Sequence, residues 1–272
     1  MPAGPDVPKD DAALRLYTFS LSHFSEKIRW ALSAAGVAFV EIPWTPFFHV
    51  LRARRRGKAT TVPVLETREG PVQDSTRILL WLEKHRTPFA LMPQDPSERE
   101  TALAIEARFD EVGEHVVRYA YSVALDDAES VARYWTTDAS PLQARIIRRF
   151  FPAMRWIFRR KLRMSPANVA ISRSTIEAGL AWIEAQTTSP TQRLVGDRLT
   201  VADVAAAALL APLVCPDEHP IYGSSRYRAG IAPLVGDWQG RPAFAWVRAV
   251  YREHRGSWGA RAPKVRQWID GA

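Results

Sequence analysis

The chain has 272 residues, enough for one large or two modest domains, and its 47% hydrophobic and 24% charged residues are typical of a soluble globular protein. It lacks a run of about 18 apolar residues, so we predict no membrane-spanning helix. The single cysteine, Cys215, excludes a disulfide within the chain and argues against a cysteine-based metal site, so we predict a cytoplasmic protein without a metal. The net charge of +8 favours anionic partners.

The first part of the chain alternates strand and helix patterns. Residues 1–13 lack the continuous apolar stretch of a secretory signal peptide. Their Pro, Gly and Asp content predicts a disordered tail. We predict strands at 14–21, 38–42, 62–67 and 71–73, and helices over 22–35 and after Asp74 or Ser75. A βαβ unit makes its two strands parallel, and the short turn makes the last pair antiparallel. The order βαβ then ββα predicts an α/β thioredoxin-like domain over 14–87.

A proline-rich linker at 88–97 separates this domain from a region in which nearly every pattern is helical. We predict helices at 98–125, 142–163 with an interruption at Pro152, 168–186, 200–210 and 242–254. The second domain is therefore predicted to be all-helical over 98–258, with a tail at 259–272. Within it, Leu199 to Asp203 has the pattern of a capping box, with Thr200 as the N-cap and Asp203 reaching back to it.

Two serines, Ser22 and Ser25, stand at the predicted start of the first helix. A helix N-terminus offers free N–H groups and the positive end of the helix dipole, which stabilise a thiolate. Redox proteins of this fold carry Cys-x-x-Cys at this junction. A serine hydroxyl can donate a hydrogen bond to the thiolate of a ligand, but it cannot form a mixed disulfide. Alternatively, Ser22 is only the N-cap of the helix.

Two further patterns suit a peptide-like ligand. A cis bond between Val62 and Pro63 would leave the Val62 backbone free to pair with a ligand, whereas a trans bond would be an ordinary strand start. At the later helix start, the N–H groups of Ser75 and Thr76 can hold a carboxylate, and Asp74 can hold an ammonium group. The alternative is again a simple helix cap.

A basic run follows Phe47-Phe-His49 and comprises Arg52, Arg54, Arg55, Arg56 and Lys58. His49 or one of these neighbours is a candidate to meet an anionic group of a ligand. The ordinary interpretation of such a run is a solvated basic helix face.

Taken together, these segments resemble a cytosolic glutathione transferase, over roughly residues 14–255. The resemblance is carried by SHFSEKIRWAL from Ser22, TVPVL from Thr61 and QDSTRIL from Gln73, and it is greatest for bacterial members with serine at the catalytic position. It implies a glutathione site in which Ser22 contacts the thiol, Phe24 lies beside it, Val62 at the Val62–Pro63 step pairs with the cysteinyl backbone, Asp74 and Ser75 hold the γ-glutamyl head, and His49 meets the glycyl end.

The implied reaction is attack by the glutathione thiolate, with glutathione as co-substrate, on a small, apolar electrophile. The resemblance also implies a homodimer acting in detoxification. Thiol–disulfide exchange is disfavoured because neither serine position holds a cysteine. A second-substrate pocket between the domains is predicted from Tyr119, Tyr121, Trp156, Phe150 and Phe158, although aromatic side chains at helical spacing are also usual in cores. The alternative function is a non-catalytic glutathione-transferase-like protein used for binding or stress response.

Residues 145–163 contain eight basic side chains and no acidic one. We favour a solvated basic face on a packed helix and predict no nucleic-acid partner. Peripheral binding to an anionic surface through this segment is left open. As a third hypothesis, salt-sensitive binding to anionic lipid or nucleic acid would be removed by charge reversal at Arg148, Arg159 and Lys161.

Overall fold

The structure is a computed structural model that describes residues 14–56, 59–86 and 88–255, so the predicted tails lie outside the described residues. The first domain contains β1 (Leu14–Thr18), α1 (His23–Ala34), β2 (Phe39–Pro43), α2 (Val50–Arg56), β3 (Val64–Thr67), β4 (Gly70–Gln73) and α3 (Ser75–His85). The second contains α4 (Pro96–Ala124), α5 (Ala128–Trp135), α6 (Pro141–Arg149), α7 (Phe151–Lys161), α8 (Pro166–Gln186), α9 (Val201–Val214), α10 (Ser225–Val235) and α11 (Pro242–Val250). A π-helical turn, Tyr251–Arg255, follows α11.

The four strands form one mixed sheet in the order β2-β1-β3-β4. β1 and β2 are parallel, whereas β3 is antiparallel to both β1 and β4. This topology confirms the predicted thioredoxin-like domain. Two strands are shorter than predicted: β1 ends at Thr18 because the chain turns so that the Ser22 N–H bonds the Phe19 carbonyl, and β3 starts at Val64, after the cis Val62–Pro63 bond.

The second domain is helical, as predicted, and is organised around α9. Every side chain of α9 is buried, so the helix has no polar face, and it packs against α1, α4 and α11. α4 begins inside the predicted linker because Asp95 caps it and Pro96 takes the first helical position. The predicted helix at 142–163 divides into α6 and α7 at Phe150, since Pro152 lacks the N–H that would continue the helix.

The two domains are joined by buried polar contacts as well as apolar packing. The Lys27 ammonium of α1 is fully buried and lies 2.6 Å from the Glu106 carboxylate and close to Asp110, both on α4. The Thr76 hydroxyl of α3 donates to the same two carboxylates. Because removal of one partner would leave the others buried and unpaired, this cluster fixes α1 and α3 against α4.

The capping box at the start of α9 lies in the core of the second domain. One oxygen of the Asp203 carboxylate accepts from both the N–H and the hydroxyl of Thr200, and the other accepts from the Leu194 N–H. The Thr200 hydroxyl thus donates to the Asp203 side chain, which reaches back from the first turn of α9. The arrangement ties the connector before α9 to its first turn.

Candidate active site

The N-terminus of α1 faces a cavity between the two domains. Ser22 is the N-cap of α1: its Oγ accepts a hydrogen bond of 3.1 Å from the Ser25 N–H, and its carbonyl accepts one of 2.9 Å from the Glu26 N–H. Because a hydroxyl also has one hydrogen to donate, Ser22 can cap the helix and serve a ligand together. Ser22 lines the cavity, whereas Ser25 is fully buried and does not. Of the two serines, only Ser22 is placed to meet a ligand there.

The loop before Ser22 is held from three directions. Arg29 donates to the Phe19 carbonyl, the Ser20 hydroxyl donates to Asp138 before α6, and the Tyr222 hydroxyl donates to the Leu21 carbonyl at 2.6 Å. Sequence analysis missed these supports because two of the three donor–acceptor pairs are more than 100 positions apart. They fix the position of Ser22 before any ligand arrives.

The cavity has a volume of about 730 Å³ and takes its walls from both domains. Apolar and aromatic side chains predominate, as is usual for small-molecule sites. The first domain contributes residues that include Phe19, Ser22, Phe24, Phe47, His49 and Val62. The second contributes, among others, Val116, Tyr121, Tyr134, Trp135, Phe158 and Ile231.

Only part of the predicted second-substrate set lines this cavity. Tyr121 and Phe158 do, and burial raises the pKa of Tyr121 to about 12, so its hydroxyl keeps its proton at neutral pH. Tyr119 does not: it points to the opposite side of α4 and donates to the Leu234 carbonyl. Trp156 and Phe150 are exposed at the surface instead. Tyr119 and Tyr121 are two positions apart and so lie on opposite sides of α4, and the sequence does not reveal which side meets the cavity.

His49 lies in the cavity wall, but its surroundings disfavour a charge. Its Nε2 donates to the Thr60 carbonyl at 2.9 Å, and its ring stands edge-on to Phe19. Burial, assisted by the nearby Lys161 charge, lowers its pKa below the ordinary value. The side chain therefore holds the segment before Val62 in place. The cations among the described residues that line the cavity are Arg54, Lys161 and Arg226. Arg54 belongs to the basic run that the sequence offered as an alternative to His49, whereas Lys161 and Arg226 were not assigned to the site.

The segment that leads into β3 is braced for contact with a ligand. The Val62–Pro63 bond is cis, Val62 lines the cavity, and Pro63 is buried behind it. The Gln73 side chain donates to the carbonyls of Ala59 and Thr61 and accepts from the Ala59 N–H. Gln73 is thus a structural brace for this segment.

Asp74 and Ser75 lie at the N-terminus of α3 and do not line the cavity. Asp74 is exposed, and its carboxylate accepts from the Arg77 N–H at 3.1 Å as the N-cap. Its φ of 92° is in the left-handed region that non-glycine residues rarely adopt. Such strain is concentrated at functional sites, where the surrounding structure enforces it.

The first turn of α1 packs closely against α4 at Gly113. His23 Nε2 donates to the Gly113 carbonyl at 3.0 Å, and a β-carbon at position 113 would come within 3.1 Å of the Phe24 ring. A side chain at position 113 would therefore require the Phe24 ring to shift by a few tenths of an ångström. Burial lowers the pKa of His23 to about 4, so it is a neutral donor.

Two other candidate chemistries find no support in the described residues. Cys215 is buried, and its surroundings raise its thiol pKa to about 12, which makes it unreactive at neutral pH. Within the described ranges, no group of three or more His, Cys, Asp or Glu side chains is arranged to hold a metal ion. The same residues include no helix with the length and apolar character needed to cross a membrane.

Comparison with known proteins identifies relatives of the first domain and of the whole fold. Residues 16–88 match the family model described as glutathione S-transferase, N-terminal domain. A glutathione S-transferase of Pseudomonas putida is 34% identical over 90 residues, which is 32% of this chain and 39% of that protein. The matched stretch therefore spans well under half the length of this curated relative.

Solved structures agree over most of the chain. A glutathione S-transferase from Methylobacillus flagellatus with GSH bound gives a TM-score of 0.61 at 18% identity, covering 92% of this chain and all of that one. A glutathione transferase family member from Pseudomonas fluorescens with bound glutathione gives a TM-score of 0.55 at 20% identity, covering 93% of this chain and all of that one. Identities this low show the fold alone. The comparisons therefore show a glutathione S-transferase N-terminal domain at residues 16–88 and a chain whose fold resembles that of glutathione S-transferases.

Proposed function

We propose that this chain is a glutathione transferase in which the Ser22 hydroxyl and the N-terminus of α1 stabilise the thiolate of bound glutathione for attack on an electrophile. The observation that carries the proposal is the position of Ser22. It caps α1, faces the interdomain cavity and is held there by the supported Phe19–Leu21 loop. A cytoplasmic homodimer acting in detoxification is part of the same proposal.

The chemistry follows from the helix terminus. A thiolate beside Ser22 would accept the hydroxyl hydrogen and lie at the positive end of the α1 dipole, and both interactions favour the charged form. A hydrogen bond to a charged group contributes about 1.5–3 kcal/mol, which lowers a thiol pKa by about one to two units. From an ordinary thiol pKa of about 8.5, this places the bound thiol at about 6.5–7.5, so a substantial fraction of bound glutathione would be thiolate near neutral pH without any protein cysteine.

The other glutathione contacts belong to two surfaces. Val62 would pair with the cysteinyl backbone from the braced segment before β3, with Pro63 fixing its orientation and Phe24 packing beside the sulfur. Asp74 and Ser75 would hold the γ-glutamyl head at the N-terminus of α3, where the strained Asp74 backbone supports a functional role.

For the glycyl end, His49 would act through the Thr60 carbonyl that it holds, because burial disfavours its charged form. Positive charge for the glycyl carboxylate would come from Arg54 or Lys161, which line the cavity from opposite domains.

The electrophile would occupy the part of the cavity lined by the second domain. The Tyr121 hydroxyl and the Phe158 ring lie in this wall, with aromatic neighbours Trp135 and Phe47 packed against them. An apolar, ring-containing electrophile fits such a surface, and the protonated Tyr121 hydroxyl is available to donate to a polar group on it.

The experiment compares Ser22→Ala with Ser22→Asp in a panel of glutathione conjugation assays. Alanine removes both the helix cap and the thiolate donor, whereas aspartate keeps the cap but is acceptor-only. We expect both variants to lose conjugation by about 10- to 100-fold at neutral pH and to raise the pKa of bound thiol, measured by thiolate absorbance. Unchanged turnover and pH profile in both would mean that Ser22 is only a cap.

Ser25→Ala is the matched control, because it removes a hydroxyl in the same turn of α1 that does not reach the cavity. It should leave turnover and the thiol pKa unchanged. If the wild-type chain binds glutathione but conjugates nothing in the panel, the non-catalytic alternative replaces the transferase.

A further inference from the structure

The positive charge of the chain is concentrated in one region. Residues 139–176 carry nine basic side chains and no acidic one, so the other 234 residues carry 28 basic and 29 acidic side chains. The remainder is therefore almost neutral. Most of the basic region consists of α6 and α7, and α7 contributes residues to the cavity wall.

α6 and α7 bury one stripe each against the same apolar cluster. Ile147 of α6 and Phe151 of α7 are buried there with Trp135, and Phe158 packs against them. The opposite stripes therefore face away from this common core. Along α6 the outer stripe contains Leu142, Arg145 and Arg149, and along α7 it contains Ala153, Trp156 and Arg160, at spacings of three and four residues.

The outer stripes combine large apolar groups with cations. Leu142 is 64% exposed, Trp156 61% and Phe150, between the helices, 53%. The Arg149 guanidinium lies over the Phe150 ring, and Arg160 lies over Trp156. We call this surface the α6–α7 patch; its members are Leu142, Arg145, Arg148, Arg149, Phe150, Ala153, Trp156 and Arg160.

The cations of the patch are available for an external anion. By contrast, Arg155 and Arg159, on the flank of α7, are paired with Asp126. Among the described residues, no acidic side chain lies within ion-pair distance of Arg145, Arg148, Arg149 or Arg160. Exposed apolar side chains grouped among cations without an acidic partner are typical of a surface that binds a partner.

We propose that the α6–α7 patch docks the protein on an anionic lipid bilayer surface. The guanidinium groups match the charge of lipid phosphates, and Trp156, Phe150 and Leu142 match the boundary between headgroups and acyl chains. The phosphates of a nucleic acid could pair with the arginines, but a phosphate backbone offers no apolar layer for the exposed Leu142 side chain. Helices that lie in the bilayer interface carry this mixture of arginine and aromatic residues.

The patch also has a fixed relation to the candidate active site. The inner face of α7 lines the cavity through Ile157, Phe158 and Lys161, one helix diameter from the outer stripe. Docking would thus bring the cavity close to the bilayer, where apolar electrophiles accumulate. The inference does not depend on glutathione binding, because no patch residue lines the cavity.

The test is flotation of the full chain with vesicles of phosphatidylcholine, with or without about one third phosphatidylglycerol. We expect binding only to the anionic vesicles. Arg145→Glu with Arg149→Glu should lower the partition coefficient by at least about 25-fold, since each basic residue near an anionic surface contributes about 1 kcal/mol, a factor of about five. Trp156→Ser should lower it by about tenfold through loss of apolar burial.

Arg52→Glu with Arg55→Glu is the matched control, because it makes the same change in net charge on the exposed face of α2. Its vesicle binding should stay near the wild-type value. Equal losses of vesicle binding in the two double variants would mean that binding depends only on net charge, and would overturn the proposal. So would an unaffected Trp156→Ser variant, tighter binding to a DNA duplex than to vesicles, or a patch-dependent change in oligomeric state without vesicle binding.

Discussion

Acidification should destabilise the fold through His219, which lies in the connection between α9 and α10. Its Nδ1 accepts two backbone hydrogen bonds, from the N–H groups of Ile221 at 3.2 Å and Tyr222 at 3.1 Å. The single imidazole proton is therefore on Nε2, 3.8 Å from the Glu26 carboxylate. Burial, assisted by the charges of Arg29 and Arg255, lowers the pKa of His219 from 6.5 to about 4 despite this carboxylate. A second proton on Nδ1 would also break both backbone bonds.

The direction and size of the effect follow from linkage. The pKa of the folded state is below that of the unfolded chain, so the unfolded chain binds more protons between about pH 6.5 and about pH 4. The stabilisation from a neutral His219 is complete above this window and is lost as the pH falls through it. Between about pH 7.5 and about pH 5 the loss is about 2 kcal/mol, a sizeable part of a typical unfolding free energy of about 5–15 kcal/mol.

Urea unfolding at a series of pH values measures this loss, and His219→Asn isolates it. The asparagine carbonyl oxygen can accept the same two N–H bonds but does not titrate, so the variant should lose about 2 kcal/mol less than the wild type over that range. Tyr222→Phe is the control: it removes the bond to the Leu21 carbonyl and lowers stability at every pH while leaving His219 in place. A wild-type pH dependence in His219→Asn would refute the reasoning.

Two further outcomes test the core. Lys27→Met should lower the unfolding free energy by about 3–5 kcal/mol, measured in urea, because it leaves Glu106 and Asp110 close together and without their cation; a loss below about 1 kcal/mol would contradict a buried ion pair. Cys215 should react with a chromogenic thiol reagent only after unfolding, since burial raises its pKa to about 12, and rapid labelling of the folded protein would contradict this.

Local sequence determined the order of the elements. The alternation of apolar residues and the turn signals between them specify βαβ and ββα, because those patterns depend on neighbours a few positions apart. The same holds for the helix starts. The side chains of Ser22 and Asp74 each accept from an N–H in the first turn of their helix, and at Thr200 the Asp203 carboxylate three residues on accepts from the Thr200 N–H. The conformation of Val62–Pro63 was left open by sequence, and the structure has it cis.

Tertiary structure decided which side chains reach the cavity. Tyr119, Tyr121 and Trp156 were predicted to line one pocket, yet of these three only Tyr121 does. The packing of each helix sets which of its sides is covered, and that depends on distant segments. Burial likewise lowers the pKa of His49 and favours its neutral form, and that burial depends on the packing of distant segments.

The supports of the Ser22 loop are the clearest case. Ser22 stands at its helix start by virtue of its own neighbours in the chain. Its orientation toward the cavity depends on Asp138 and Tyr222, which are 116 and 200 positions away in sequence and reach the loop only after the helical domain has folded against the sheet. Sequence thus determined that a hydroxyl caps α1, and only the assembled domains decided that it faces a site.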